Sequence, residues 1–565
     1  MDQEICVNRS SIDTACLPEL SDKMCAVHRA KKQNDLRQTQ MAVEKNLSNH
    51  RQQPFTDEPK IGQELFIGLV AAVGTELDQL QSYLKADLET LGFDIKLIHL
   101  AALLRQIPKY KDLPDTPRDK YVEKFMEAGT EFRATIGRGD ALAILGLTKV
   151  RAFREEAKRN AKAKKATQTR PCAYILRSLK NPAEAHTLRE IYGDAFVLIA
   201  AYSSHDARLR HFANRIAKSN NEFPIERHLG RAEDLMQTDQ EELGTKLGQG
   251  VRKTFHLADV FVDTNDPGEL RNSLTRFIEL LFGNAFHTPT RDEYGMYQAT
   301  AAAMRSSELG RQVGAAISTV EGDVVALGTN EVPKAGGGLY WCTDKPDKRQ
   351  FLLGFDSNDE QIGEVIADVL KRLQGAGWLA KSKNLLDVKE LVKLALEGDK
   401  PPLKGSRATS LIEFGRAVHA EMAAITDAAR RGVSVNGCAM YVTAFPCHLC
   451  ARHVVASGIG RLVYIEPYPK SLSGELFPDS ISIDAGHAAP GHVPFNPFVG
   501  IAPRKYVPLF SMKGDDDRKI HGKVREFDRA NAILKYSGLP PRAYLDSEQE
   551  KITLVRLQMA KHQLM

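Results

Sequence analysis

The chain has 565 residues, 26% of them charged and 42% hydrophobic, with a formal net charge of +5. That length exceeds one ordinary hydrophobic core and implies two or three domains of a globular protein, while so small a net charge gives no ground of itself for nucleic-acid binding. No apolar run approaches the roughly 20 residues of a membrane helix and the first residues lack an apolar signal core, so a cytoplasmic location without membrane contact is expected, and the eight cysteines are not read as a disulfide framework.

Residues 1–60 are polar, rich in Gln, Asn, Lys and Arg, and read as an N-terminal extension. From residue 61 the pattern becomes α/β. Strand-like apolar runs stand at ELFIGLVAAV, FDIKLIHLA, CAYILRSL, AFVLIAAY and ADVFVDT, with longer helical stretches between them. That alternation predicts a parallel sheet covered by helices over 61–283. The basic run Arg151–Arg170 between the second and third strands reads as a solvated helix face or a contact for phosphates or RNA.

A second α/β unit is expected over 284–565. Gly310–Val332 reads as two strands around a Glu321-Gly322-Asp323 turn. An insertion follows, about 336–408, much of it helical in pattern. Then come a helix (FGRAVHAEMAAITDAARRG), a strand (AMYVTAF), a helix from Cys447 and a strand (RLVYIEP).

The chemistry concentrates in those last elements. His419-Ala420-Glu421 lies on the helix before the strand, and Pro446-Cys447-His448-Leu449-Cys450 follows it. Imidazole and thiolate are preferred ligands of Zn²⁺, and three protein ligands leave the fourth position open to water. His419, Cys447 and Cys450 make such a set, and Glu421 is then free for acid–base work. A redox dithiol would not call for the upstream His-x-Glu. A closed structural zinc would need a fourth ligand, for which His448 is nearest. H-x-E followed by P-C-x-x-C is the signature of zinc nucleobase deaminases.

Residues from about 295 to 470 resemble the cytidine and deoxycytidylate deaminase family, and within it the deoxycytidylate branch. The matching segments are Arg305-Ser306, Val313-Gly314-Ala315-Ala316-Ile317 and Gly328-Thr329-Asn330-Glu331-Val332-Pro333, ahead of the zinc motifs. The resemblance implies that Asn330 contacts the sugar and that Arg305 or Ser306 lies near the phosphate. Ala423 stands where the family helix carries Asn, and the insertion is far longer than in a housekeeping enzyme.

Gly68-Leu-Val-Ala-Ala-Val-Gly74-Thr75 resembles a phosphate-binding loop, G-x-x-x-x-G-K-S/T, with one extra residue between the glycines and no Lys before Thr75. Gly68, Gly74 and Thr75 are therefore candidate nucleotide contacts, and 61–283 resembles a P-loop nucleotide-kinase fold. Such a domain ahead of a deoxycytidylate-type deaminase resembles the bacterial anti-phage dCTP deaminases, with which AYILRSLKNPAEAHTLREIYGDAF, HAEMAAI, PCHLC and YIEPYPKS are in keeping. That resemblance implies conversion of free dCTP and dCMP to dUTP and dUMP with release of ammonia, draining the pool a phage needs. It also implies an inhibitory RNA antitoxin and a homo-oligomer. The competing reading is a polynucleotide-editing deaminase, which needs aromatic stacking beside a basic groove. Aromatics are only 7% of the chain, which favours the free nucleotide.

Overall fold

The computed structural model describes residues 59–240, 247–398, 401–468, 471–483, 490–512, 518–535 and 541–564. The polar extension expected over 1–60 lies almost wholly outside them. Among the described residues no helix is long and apolar enough to cross a membrane.

The five apolar runs form β1 (Glu64–Ala71), β2 (Asp94–His99), β3 (Cys172–Arg177), β4 (Phe196–Tyr202) and β5 (Val260–Asp263). They pair in parallel in the order β5-β4-β1-β3-β2. Every residue of β1 is buried, which is why its sequence is continuously apolar rather than alternating. Helices cover both faces. On one, Leu80, Leu84 and Leu88 form an i, i+4, i+8 stripe along the helix Asp78–Thr90, which packs with the helix Pro267–Leu281. On the other lie the helices Arg118–Ile136, Ala141–Ala163 and Pro182–Tyr192. The last of these starts from a capping box between Asn181 and Glu184.

The second sheet contains β6 (Gly314–Ser318), β7 (Val324–Thr329), β8 (Ala439–Ala444), β9 (Arg461–Glu466), β10 (Ile481–Ile483) and β11 (Val493–Pro497). Its order is β10-β11-β9-β8-β6-β7. β6 pairs antiparallel with β7 and β8, while β8 and β9 are parallel. The helix Arg291–Ala303 covers one face, and the helices Ala420–Arg430 and His448–Ala456 cover the other, giving the α/β/α arrangement expected. Two glycines permit this close packing. A Cβ on Gly314 would lie 1.9 Å from the Ala299 carbonyl oxygen, and one on Gly328 would lie 2.0 Å from that of Ala420. The insertion forms the helices Ser357–Gly375 and Val388–Leu396, packed on each other.

Two expectations are corrected. The helix read from Phe414 starts at Ala420, because Val418 is held in an extended bridge to Glu331. The tail of the expected 284–565 unit also does not stay with the second sheet. After β11 the chain forms β12 (Gly500–Ile501), which pairs antiparallel with β5 at the edge of the first sheet. Buried Glu293 accepts a hydrogen bond from the Ile501 N–H and pairs with Arg276. The helix Pro541–Lys561 then packs on the helix Ala141–Ala163. One apolar core runs through both units: Phe261, Phe498 and Ala502 share it with Met296, Ala299 and Tyr441.

Candidate metal centre

The site sits at the carboxyl end of β8, where two helices begin side by side. His419 occupies the N-cap of the helix Ala420–Arg430, with extended backbone at φ −66° and ψ 155°. Cys447 occupies the N-cap of the helix His448–Ala456, at φ −67° and ψ 161°, and its sulfur accepts from the Cys450 N–H. Both helices therefore turn their positive ends toward the same point, which favours thiolates there. His419 Nδ1 lies 3.3 Å from Cys447 Sγ and 3.3 Å from Cys450 Sγ. The three ligand atoms all lie within 4.8 Å of one another, and no fourth His, Cys, Asp or Glu joins the group among the described residues.

One imidazole nitrogen and two buried sulfurs, with no further protein ligand, is the donor set of an open, hydrolytic zinc site. His448 is not a fourth ligand: it is the first residue of its helix and is not part of the cluster. The Cys447 thiol is held down, first by the hydrogen bond from the Cys450 thiol and then by the His419 imidazole, against the effect of burial. Glu421, two residues past His419, is only 4% exposed. Burial pushes its carboxyl up to about 7, and the Cys447 charge adds to the shift. A buried carboxyl beside a metal-type donor set can carry a proton in either direction near neutral pH.

A cavity of about 320 Å³ opens over His419, Glu421 and Cys447. Its far wall comes from the insertion and the segment after it, including Gln350, Asn358 and Arg416. The Arg416 guanidinium is tied to the Gln350 amide and the Lys348 carbonyl.

The residues singled out in the sequence divide. Asn330 lines the cavity. Its Oδ1 accepts from the Val313 N–H and its Nδ2 donates to the Arg311 carbonyl, so the amide holds the Arg311–Val313 turn in place. Ser306 is buried and donates to the Asn330 carbonyl. Arg305 faces elsewhere: its guanidinium lies 3.5 Å over the Trp341 ring and donates to the Leu339 and Tyr340 carbonyls. Neither Arg305 nor Ser306 is on the cavity wall. Two cations that the sequence reading passed over, Arg311 and Arg416, are on it. Arg311 precedes the Val313-Gly314-Ala315 segment by two residues, and that adjacency was the available signal. Ser471 donates to the Pro446 carbonyl and so braces the loop before Cys447.

The loop after β1 departs from the phosphate-binding pattern. Gly68 is inside β1, where a Cβ would meet the Phe196 ring at 2.9 Å, so it is a packing glycine rather than a loop residue. Gly74 is in the loop, at φ +91°, with the Arg208 carbonyl oxygen 2.6 Å from where a Cβ would be. The Val73 N–H points at the carboxylate of Asp239, 2.7 Å away. An internal carboxylate therefore already takes a loop donor that a bound phosphate would use.

Residues 289–466 match the family model of the cytidine and deoxycytidylate deaminase zinc-binding region. That match lies within the second unit. Over 57 residues, 10% of the chain, the sequence is 51% identical to the deoxycytidylate deaminases of Enterobacteria phages T2 and T4. The chain spans about 30% of the length of those two relatives. Human deoxycytidylate deaminase is 25% identical over 219 residues, 39% of this chain and 81% of the relative. The structure of dCMP deaminase from cyanophage S-TIM5 in complex with dCMP and dUMP is 14% identical, with a TM-score of 0.21. That match covers 38% of this chain and all of the other.

Proposed function

We propose that the chain hydrolyses the exocyclic C–N bond of cytosine in free deoxycytidine nucleotides, turning dCMP and dCTP into dUMP and dUTP with release of ammonia. The observation that carries this reading is the convergence of His419 Nδ1 with the two sulfurs of Cys447 and Cys450 beside buried Glu421. His419, Cys447 and Cys450 would hold zinc, which when bound acidifies a water molecule at its open position. Glu421 takes a proton from the attacking water, delivers it to the ring nitrogen and then protonates the departing amine. Asn330 fixes the turn that faces the sugar. Phe445 and Tyr468 form an aromatic side of the cavity. Arg416 and Arg311, the latter paired with Glu466 at 2.6 Å, are the cations on its wall that would meet the phosphate end.

Draining deoxycytidine nucleotides would starve a replicating phage, and antiviral defence is the role we assign. The resemblance to anti-phage dCTP deaminases also supports a kinase-like fold for the first unit, an RNA antitoxin and a homo-oligomer. Of the basic run that could meet RNA, Arg154 is buried in the protein, so its exposed neighbours are the candidates.

The deciding experiment presents purified protein with dCTP, dCMP and cytidine in parallel, with zinc determined on the same sample. Conversion of dCTP and dCMP to dUTP and dUMP, without change in DNA or RNA of the same preparation, is expected. Deamination confined to a polynucleotide would replace this reading with the editing one.

A further inference from the structure

A deoxycytidine nucleotide with its phosphates ionised has two kinds of hydrogen-bond donor, the 4-amino group and the sugar 3′-hydroxyl. In the proposed reaction the amine is the leaving group and is met by Glu421. The hydroxyl then needs an acceptor elsewhere on the wall of the same cavity.

Besides Glu421, the acids on that wall are Glu308 and Asp356. Asp356 is occupied: it caps the helix Ser357–Gly375 by accepting from the Asn358 N–H at 2.8 Å. Glu308 is free to serve. Its Oε2 is buried and has no hydrogen-bond partner. Burial raises the pKa of its carboxyl, and the charge of Asp356 adds to the rise, as happens to a carboxylate short of donors. Leaving such an oxygen unpaired is costly, and native structures rarely do so without a ligand or other reason.

Two further observations put Glu308 at the level of the sugar. Its N–H donates to Ser306 Oγ at 3.2 Å, and that hydroxyl donates to the Asn330 carbonyl at 2.8 Å. Glu308 is thus tied to the turn that faces the sugar in the proposed reaction. Both ends of the Asn330 amide already hold that turn together, so Glu308 is the charged acceptor beside it. The Glu308 charge also reaches the His419 imidazole, which places the carboxyl toward the metal end of the cavity.

We propose that Glu308 is a specificity-determining residue that accepts the 3′-hydroxyl of the substrate's sugar and so restricts the site to nucleotides whose 3′-oxygen is free. This rests on the activity proposed above and supplies the feature by which the site tells a free nucleotide from a cytosine inside a strand. Within a strand the 3′-oxygen is esterified and has no proton to donate. The phosphodiester there would also set a negative charge against Glu308, with Asp356 on the same cavity wall. One carboxylate therefore selects twice, by attracting the free hydroxyl and by repelling the linked chain.

The test is steady-state deamination by the zinc-loaded full chain with three substrates: dCMP, 2′,3′-dideoxycytidine 5′-monophosphate, which lacks the hydroxyl, and deoxycytidine 3′,5′-bisphosphate, which carries an anion in its place. A hydrogen bond to a charged group is worth about tenfold to a hundredfold. In the unmodified protein kcat/KM should fall by that factor for the dideoxy compound and further for the bisphosphate. In Glu308→Ala the preference for dCMP over the dideoxy compound should all but vanish, because dCMP alone loses a partner. Glu308→Gln keeps a neutral acceptor and should gain on the bisphosphate relative to dCMP. A merely structural role would lower all three substrates alike and leave their ratios as in the parent. Calorimetry gives a readout without turnover: dUMP should bind the parent more tightly than its 3′-deoxy analogue, and the two should bind Glu308→Ala alike. Equal kcat/KM for dCMP and the dideoxy compound in the unmodified protein overturns the proposal without any variant having to fold. So do parent-like ratios in Glu308→Ala. Should the zinc-loaded protein deaminate none of the three, the proposed activity fails and this inference with it, whereas turnover without discrimination removes this inference alone.

Discussion

Arg154 ties Glu64, at the start of β1, to Glu548 in the C-terminal helix. Its Nε donates to Glu64 at 3.0 Å and its Nη1 to Glu548 at 2.9 Å, and the three side chains are between 0% and 5% exposed. The hydroxyls of Tyr174 and Tyr544 donate to Glu64, and that of Tyr192 donates to Glu548. One cation thus serves two buried carboxylates, and three phenols supply the remaining hydrogen bonds. Removing the cation leaves two unpaired buried charges, which costs about 3–5 kcal/mol for a broken buried pair. Arg154→Met should therefore lower the melting temperature sharply and expose the C-terminal helix to limited proteolysis. A variant that melts with the parent and keeps its tail protected would show that this ion pair does not fasten the tail.

The stacking of Arg305 on Trp341 yields a second prediction, about substrate affinity. Arg305 braces the start of the insertion, whereas Arg311 and Arg416 face the cavity. Loss of a charge-assisted contact to phosphate costs about tenfold in affinity. Arg311→Ala and Arg416→Ala should each raise KM for dCMP by about that factor, with kcat changed less. Arg305→Ala should change KM little and alike for dCMP and dCTP. A loss in Arg305→Ala confined to the triphosphate would return that residue to the phosphate site.

Some of this architecture was legible in the sequence. Strands β1, β3, β4 and β5 stood out because burial on both faces demands apolar runs such as Glu64–Ala71, whereas β2, at the sheet edge, is only half buried. The ligand set stood out because the residue types and cap positions are local: His419 and Cys447 each precede a helix by one residue. What could not be read depends on distant partners. Arg154 sits in a basic run and looks solvated, yet it is neutralised by Glu548, 394 residues away. The return of the chain at β12 rests on a two-residue strand with no periodicity of its own. The sequence pattern puts Arg416 within a helix, because nothing in its neighbourhood signals the bridge between Val418 and Glu331.

Close approach of helix and sheet makes Gly314 a stability test for the second unit. An alanine Cβ there would meet the Ala299 carbonyl oxygen at 1.9 Å and the Ala303 nitrogen at 2.5 Å, both backbone atoms. The helix must move to admit it, and overpacking of this kind costs about 1–3 kcal/mol or more. Gly314→Ala should lower the melting temperature. Gly363→Ala is the matched control: it lies inside the helix Ser357–Gly375 with nothing within 4 Å of the added carbon. There the substitution should stabilise by about 0.5–1 kcal/mol, since glycine in a helix interior carries excess backbone entropy. Equal melting shifts in the two variants would remove the argument from close packing.

The metal centre separates binding from proton transfer, and the two can be measured apart. His419, Cys447 and Cys450 supply the donor atoms, while Glu421 lies outside the cluster. Chelation should abolish turnover, and zinc should restore it. His419→Ala and Cys447→Ala should lose both metal and activity, because two remaining ligands cannot reproduce the three-ligand site. Glu421→Gln has nearly the same size and should keep about one zinc per chain by elemental analysis. Its kcat should fall by about 10²–10⁴, the usual worth of a positioned acid–base group. Loss of zinc in Glu421→Gln would make Glu421 a ligand or a brace for one. Near-normal turnover with zinc retained would require another group to carry the proton, and the cavity offers Glu308, whose carboxyl is raised by burial and has one oxygen without a hydrogen-bond partner.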